Sequence, residues 1–303
     1  MPSTQNRTGP ISVIIPTYNY GRFLAEAIES TLSQTRVPDE VIVVDDGSED
    51  ETPEVVEQFA GRVIYERQAN AGVCAARNRG VEISTGEYLA FQDADDIWEP
   101  TKLEKQLQIL GSDEGIGLVH CGMREFDSET GETVAMHLDG AEGWAADNLL
   151  LWEEPSIVGP GGTIVVRRGA FIEAGGFDPR QRVGEDWDLC YRIARKWRIG
   201  FVAEPLVKYR SHRSAAHHDV GEMERGMSLF YDKAFADSDP HVQSLKPHAL
   251  GNFHKVLSGS YFHAGNYGQF LYHAARSILM RPRNLEYFLT FPKRRLSGGS
   301  RWN

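Results

Sequence analysis

Short apolar runs that each stop at polar or acidic residues constrain the fold of this chain more than any other feature. Residues 11–15 (Ile-Ser-Val-Ile-Ile) are nearly all apolar, stop at Pro16, and are followed by Thr17, Tyr18 and Asn19. Residues 40–44 form a second run, ending in Asp45-Asp46-Gly47-Ser48. Residues 63–65 form a third, and residues 87–91 a fourth that leads into Asp93-Ala94-Asp95-Asp96. Runs of this length read as buried strands. Between them, residues 22–34 place Phe23, Leu24, Ala27, Ile28, Thr31 and Leu32 at helical spacing. Residues 52–59 read as a helix with Pro53 in its first turn, and residues 72–83 as another. Four strands thus alternate with three helices. That order predicts an α/β fold with a mostly parallel sheet and helices on both faces. Ligands of such sheets bind beyond the carboxyl ends of the strands, where this chain puts its polar clusters.

After a helix over 101–110 the pattern becomes mixed. Strands are expected at 117–121, 163–166, 201–203 and 206–209, and helices at 168–174 and 186–197. From Val220 the reading is mainly helical, with Phe253, Val256, Leu257, Tyr261 and Phe262 at one helical spacing and Leu271, Ala274, Ala275 and Ile278 at another. The chain has 303 residues and a formal net charge of -11, which argues against nucleic acid as a partner. Cys74, Cys121 and Cys190 form no Cys-x-x-Cys pair and read as buried thiols. The polar N-terminus lacks the apolar core of a signal peptide, and no run is long enough to span a bilayer, so the expected location is the cytoplasm.

The turn after the first strand, Pro16 to Gly21, is neither G-x-G-x-x-G nor a P-loop. Phosphate charge must therefore be met otherwise. Three carboxylates in Asp93-Ala94-Asp95-Asp96 repel one another unless a cation sits among them, and hard oxygens suit Mn2+ or Mg2+, which bridge to phosphates. An acidic helix-capping turn is the alternative. Asp45-Asp46 is ordinary turn chemistry taken alone. At a strand end, an Asp there can accept a hydrogen bond from a pyrimidine. Arg77 and Asn78 either face a diphosphate or lie on the surface.

Residues 11–19, Val41 to Ser48, Asn70-Ala-Gly72 with Ala76-Arg-Asn78, Gly86-Glu-Tyr88 with Asp93-Ala-Asp-Asp96, Gly175-Gly-Phe-Asp178 and Glu185-Asp-Trp-Asp188 together resemble family 2 glycosyltransferases of the GT-A fold. The resemblance covers roughly residues 10–215. It implies that Tyr18 and Asp46 hold the nucleotide base within a site formed by Pro16, Thr17, Tyr18, Asn19, Asp45, Asp46, Arg77, Asn78, Asp93 and Ala94. It also implies that Asp95 ligates the metal with Asp93 in support, and that His212 lies near metal or diphosphate. Asp186 resembles the catalytic base, with Glu185 as the alternative. Gly161, Gly162 and Thr163 resemble the segment lining the sugar pocket. Trp187 stacks on an acceptor sugar or belongs to the core.

The implied organisation is a short disordered N-terminus (1–10), a GT-A domain (11–219) and a helical C-terminal region with a basic tail (220–303). Within the GT-A domain, 11–100 is the nucleotide-binding half and 101–219 the acceptor half. The implied reaction is inverting transfer from a nucleotide-sugar, by default a UDP-sugar, to a saccharide or lipid-linked acceptor in polysaccharide or glycoconjugate synthesis. The rival readings are a sugar nucleotidyltransferase, an aspartyl phosphatase and a non-catalytic binding protein. The first needs a Gly-rich loop that Pro16 to Gly21 lacks. The second normally has its D-x-D after the first strand. The tail carries Arg276, Arg281, Arg283, Lys293, Arg294, Arg295 and Arg301 against Glu286. That asymmetry points to an anionic membrane surface, with a solvated basic tail as the alternative.

Overall fold

The computed structural model describes residues 9–211 and 219–296. The chain divides into two compact units. One runs to Leu149 and resumes at Glu154, and the other combines Leu150–Glu153 with the C-terminal chain.

The first unit opens with β1 (Ile11–Thr17), α1 (Gly21–Leu32), β2 (Glu40–Asp45), α2 (Thr52–Glu57), β3 (Ile64–Arg67), α3 (Val73–Ile83) and β4 (Tyr88–Phe91). All four strands are parallel, in the order β3-β2-β1-β4. β1, β2 and β4 are buried on both faces, which is why they read as apolar runs, whereas β3 lies at the sheet edge with Ile64 and Tyr65 exposed. β1 continues through Pro16, where the sequence reading ended it. Ile14 accepts from the Gln92 amide on the β4 side, so Pro16, two residues on, also turns its backbone that way. The β4 register has ended by then, and the missing N–H removes no ladder bond.

The mixed half follows as β5 (Ile97–Trp98), α4 (Lys102–Ser112), β6 (Ile116–Asp127), β7 (Thr133–His137), α5 (Ala146–Leu151), α6 (Pro160–Thr163), β8 (Val165–Arg167), α7 (Arg168–Ala174), α8 (Glu185–Ala194) and β9 (Arg198–Ser211). The full order is β3-β2-β1-β4-β8-β6-β9-β5, with β7 on β6. The two strands expected between 201 and 209 are one strand, β9, whose register against β6 shifts around Gly122, opposite Pro205. Thr163, expected in a strand, closes the helical turn α6. β5, β7, α5 and α6 have no counterpart in the sequence reading.

One core side chain is out of keeping with its surroundings. Lys102 is fully buried, its Nζ has no hydrogen-bond partner among the described residues, and it lies 3.8 Å from the centroid of the Trp98 ring. Burial pushes its pKa down to about 8. The unfolded chain therefore binds the proton more tightly, and native stability rises with pH between about 8 and the ordinary lysine value. Lys102→Met is expected to stabilise the protein at pH 7 by about 1–3 kcal/mol. It should also abolish that alkaline rise, as read by urea unfolding across pH.

The second unit comprises α9 (Val220–Ala234), α10 (Pro240–His263), α11 (Tyr267–Met280), a 3-10 turn (Pro282–Asn284) and α12 (Leu285–Leu296). Phe230, Tyr231, Phe253 and Leu257 form its core. Glu153 Oε1 gathers His248, Asn252 and Arg281 at 2.8, 3.3 and 3.1 Å. The helical spacing of Leu271 and Ala275 predicted an inward face, but both are exposed. The inward residues are His273, Ala274 and Ser277. Ser277 donates to the Gly251 carbonyl on α10 at 2.8 Å, a close approach that only small residues permit.

Candidate active site

The loops after β1 and β2 are tied into one surface. Asn19 adopts φ 57°, which Asn tolerates better than most residues. Its amide donates to Ser48 Oγ at 2.9 Å, and its Oδ1 accepts from the Glu49 amide at 2.8 Å. Asp45 is fully buried. It accepts from the Ser48 amide (2.8 Å) and the Tyr65 hydroxyl (2.6 Å), with Arg67 Nε at 3.5 Å. Asp46 accepts from Gln68 Nε2 and the amides of Ala71 and Gly72 at 2.7–2.9 Å. Asp45 therefore ties the turn after β2 to β3, and Asp46 organises the loop that leads into α3. Tyr18 stands exposed, and Thr17 is buried with its Oγ1 unpartnered among the described residues.

Arg77 joins elements that are remote in sequence. It is buried on α3, with Nη2 2.8 Å from Asp93 Oδ1 and Nη1 2.8 Å from Glu185 Oε1. Its guanidinium lies over the Phe177 ring at 5.1 Å, and the carboxylates raise its proton affinity still further. It is neither a surface residue nor an uncommitted phosphate ligand. Asn78 exchanges two bonds with the Phe177 backbone, at 2.8 and 3.0 Å, so it clamps the turn after α7.

Asp186 sits in the first turn of α8, one residue past Glu185. Gly184, at φ 75°, takes the cap position in a left-handed conformation natural to glycine. Asp186 is thus not the helix cap. Its Oδ1 accepts from the Trp187 amide at 2.7 Å. Burial first, then the charge of Glu185, pushes its carboxyl up to about 7; Arg77 opposes the shift and Asp93 adds to it. Gly161 faces this group. A Cβ there would stand 2.7 Å from Asp93 Oδ2, 3.4 Å from Asp186 Oδ2 and 3.5 Å from Arg77 Nη2. A Cβ on Gly162 would be 3.2 Å from Asp96 Oδ2. The α6 backbone therefore lies against the carboxylates where no side chain fits.

Thr163 turns away from them. Its Oγ1 donates to the Val158 and Gly159 carbonyls at 2.5 and 3.0 Å. Trp187 is half-buried and donates to the Leu149 carbonyl at 3.2 Å. His120 holds the approach to α6. Its Nδ1 accepts from the Val158 amide at 3.2 Å, and its Nε2 donates to Ala141 O at 2.9 Å. Burial lowers its pKa to about 4, so the ring is neutral in this role.

Asp96 is buried and accepts from the Arg210 amide at 3.0 Å. Burial, then Asp95 and Asp93, holds its carboxyl well above the usual range. Burial and the same three aspartates raise the Tyr20 and Tyr209 hydroxyls. Arg210, packed between the Phe23 and Phe126 rings, pairs with Glu26 and donates to the Asp95 carbonyl at 2.8 Å. Sequence reasoning passed over Arg210 and Tyr20, and counted Asp96 in the acidic run without giving it a role of its own. The signal was their place beside quoted motifs: Arg210 between Tyr209 and His212, Asp96 ending the acidic run, Tyr20 two residues past Tyr18. Among the described residues no three His, Cys, Asp or Glu side chains form a ready-made metal cage. His212 lies outside the described residues. The donor set of hard, mutually repelling oxygens fits a divalent cation that takes its other ligands from phosphate and water. Cys74, Cys121 and Cys190 are all buried and free.

This α/β fold with its mixed second half is the GT-A fold. It is similar to S. aureus TarS 1-349 (TM-score 0.62, 17% identity, 90% of this chain and 92% of that one) and to the same protein in complex with UDP-GlcNAc (TM-score 0.65, 17% identity, 89% and 81%). It is also similar to mannosyltransferase PcManGT from Pyrobaculum calidifontis in complex with GDP-Man and Mn2+ (TM-score 0.59, 21% identity, 88% and 74%). Residues 12–175 match the family model for glycosyl transferase family 2, and the chain belongs to that family. An uncharacterized glycosyltransferase of Rickettsia typhi is 31% identical over 210 residues, 69% of this chain. YibD of Escherichia coli, also an uncharacterized glycosyltransferase, is 40% identical over 131 residues, 42% of this chain. The chain spans 66% of the first relative's length and 38% of the second's.

Proposed function

We propose that the chain transfers a sugar from a nucleotide-sugar, a UDP-sugar by default, to a hydroxyl of a saccharide or lipid-linked acceptor, with inversion. The carrying observation is the division of labour between adjacent carboxylates. Glu185 is engaged by Arg77, whereas Asp186 has one oxygen on the Trp187 amide and the other toward Gly161. A carboxylate whose pKa lies near 7 suits a general base at neutral pH. In the reaction the acceptor oxygen attacks the anomeric carbon and its proton passes to Asp186. The bond from that carbon to the diphosphate oxygen breaks, and the nucleoside diphosphate leaves. Attack opposite the leaving group inverts the configuration.

Asp95 and Asp93 are the residues that would hold Mn2+ or Mg2+, which when bound stabilises the charge on the departing diphosphate. PcManGT, a fold neighbour, is in complex with Mn2+. Arg77 is a positioning residue that fixes Asp93 and Glu185. Asp46 shapes the nucleotide side by fixing the loop at 70–72, and exposed Tyr18 is placed to stack on a base. The acceptor side falls to Gly161, Gly162 and Trp187, in the assembly of a polysaccharide or glycoconjugate.

Calorimetry with UDP, dTDP and GDP tests this reading, with Mn2+ and with chelator, on native protein and Asp95→Ala. One nucleotide is expected to bind only with metal and to lose that binding in the variant. Absence of binding by all three, with and without metal, would overturn the enzymatic reading.

A further inference from the structure

The second unit carries a helix that is inside out. The inner face of α11 is polar and small (His273, Ala274, Ser277), while its outer face shows Leu271, Tyr272 and Leu279 at 64%, 53% and 79% exposure. These three recur at i, i+1 and i+8 on one side of the helix, with exposed Ala275 and Arg276 between them. Leu285 and Leu289 continue the pattern on α12, at 46% and 69% exposure. Large apolar side chains exposed together on neighbouring helices, in place of the usual inward stripe, are the mark of a surface that something else covers.

Charge selects the occupant. From Pro240 onward the chain has nine Lys and Arg against Glu286 alone, although its total charge is -11. We propose that α11 and α12 lie in the plane of an anionic membrane surface, with the leucines and Tyr272 among the lipid headgroups and Arg276 and Arg283 on lipid phosphates. No helix among the described residues is long and apolar enough to cross a membrane, so the geometry is that of an interfacial helix. A symmetric dimer through the same face would bring the Arg276 and Arg283 of both copies into one interface, with Glu286 as the one acidic residue this stretch supplies from each copy. Docking of this kind raises the local concentration of a lipid-linked acceptor, and it does not depend on the proposed chemistry.

The test floats the full chain with phosphatidylcholine vesicles, with and without phosphatidylglycerol. Binding is expected only with the anionic lipid and is expected to weaken as salt rises. Leu271→Gln with Leu279→Gln, and separately Arg276→Gln with Arg283→Gln, should each lower vesicle affinity by at least about tenfold. All four side chains are exposed, so circular dichroism and nucleotide binding should stay as in the native protein. No binding to anionic vesicles, equal binding to neutral ones, or native-like binding by both variants would overturn the proposal. A dimer in sedimentation velocity that the leucine pair dissolves, without vesicle binding, would assign the face to a second copy instead.

Discussion

Asp186→Asn is expected to lower kcat by about 10²–10⁴-fold while leaving nucleotide binding intact, since general-base catalysis contributes about that much. The native carboxyl is pushed up to about 7, so kcat/KM should climb with pH through about 7 and level off above it. The variant should remain at its floor across the range. Stability moves the other way. The folded state holds this proton more tightly than the unfolded chain, so the group's stabilising contribution is full below its ordinary pKa of 3.8 and is lost as pH rises through about 7. Asn never ionises, and the variant should be more stable than the native protein at pH 8, by on the order of 2 kcal/mol. Transfer rates are read by nucleoside diphosphate release, and stability by denaturant titration. Turnover within a few-fold of native would remove Asp186 as the base.

Arg77→Met is expected to cause the largest loss of stability. The substitution keeps side-chain bulk and removes the cation from between Asp93 and Glu185, whose side chains are 30% and 13% exposed. Stranding buried charges costs about 3–5 kcal/mol, and the partial exposure of Asp93 places this case near 3. The thermal midpoint should fall by roughly 6–12 °C. A purely structural residue would do no more than that. Arg77 also opposes the upward shift of Asp186, so its loss should carry the pH midpoint of kcat/KM above that of the native protein. A variant with native stability would show that the two carboxylates have another cation. A lowered stability with an unmoved pH profile would confine Arg77 to the fold.

The β1–β4 half was legible because each strand is short and joined to the next by one helix, and β1, β2 and β4 are buried on both faces, so local periodicity and tertiary role coincide. The acidic clusters were legible for the same reason, since they sit in loops attached directly to those strands. The second half was not. β8 runs antiparallel to β4 and β6, while β9 runs parallel to β6 and antiparallel to β5. Those directions are set by which neighbours are available, not by the strands' own residues. β9 carries Pro205 in mid-strand, which reads as a break until the register shift against β6 accommodates it.

Within the site, the residue types were readable and their partnerships were not. Asp46 was expected to face a ligand, but its oxygens accept from Gln68, Ala71 and Gly72, a loop whose path no spacing rule predicts. Asn78 likewise spends its amide on Phe177, 99 residues away. α11 shows the same limit in packing. Helical spacing predicts a stripe with Leu271 and Ala275 inside, and Gly251 decides the matter by admitting only the small face.

The sequence by itself determined that carboxylates would gather beyond the ends of parallel strands, because a strand buried on both faces can place polar groups only where it leaves the sheet. Only the tertiary structure decided that Arg77 would engage Asp93 and Glu185, 16 and 108 residues away, and leave Asp186 beside Gly161. Coulomb energy and desolvation depend on separation in space and on burial, and neither quantity exists until the chain has folded.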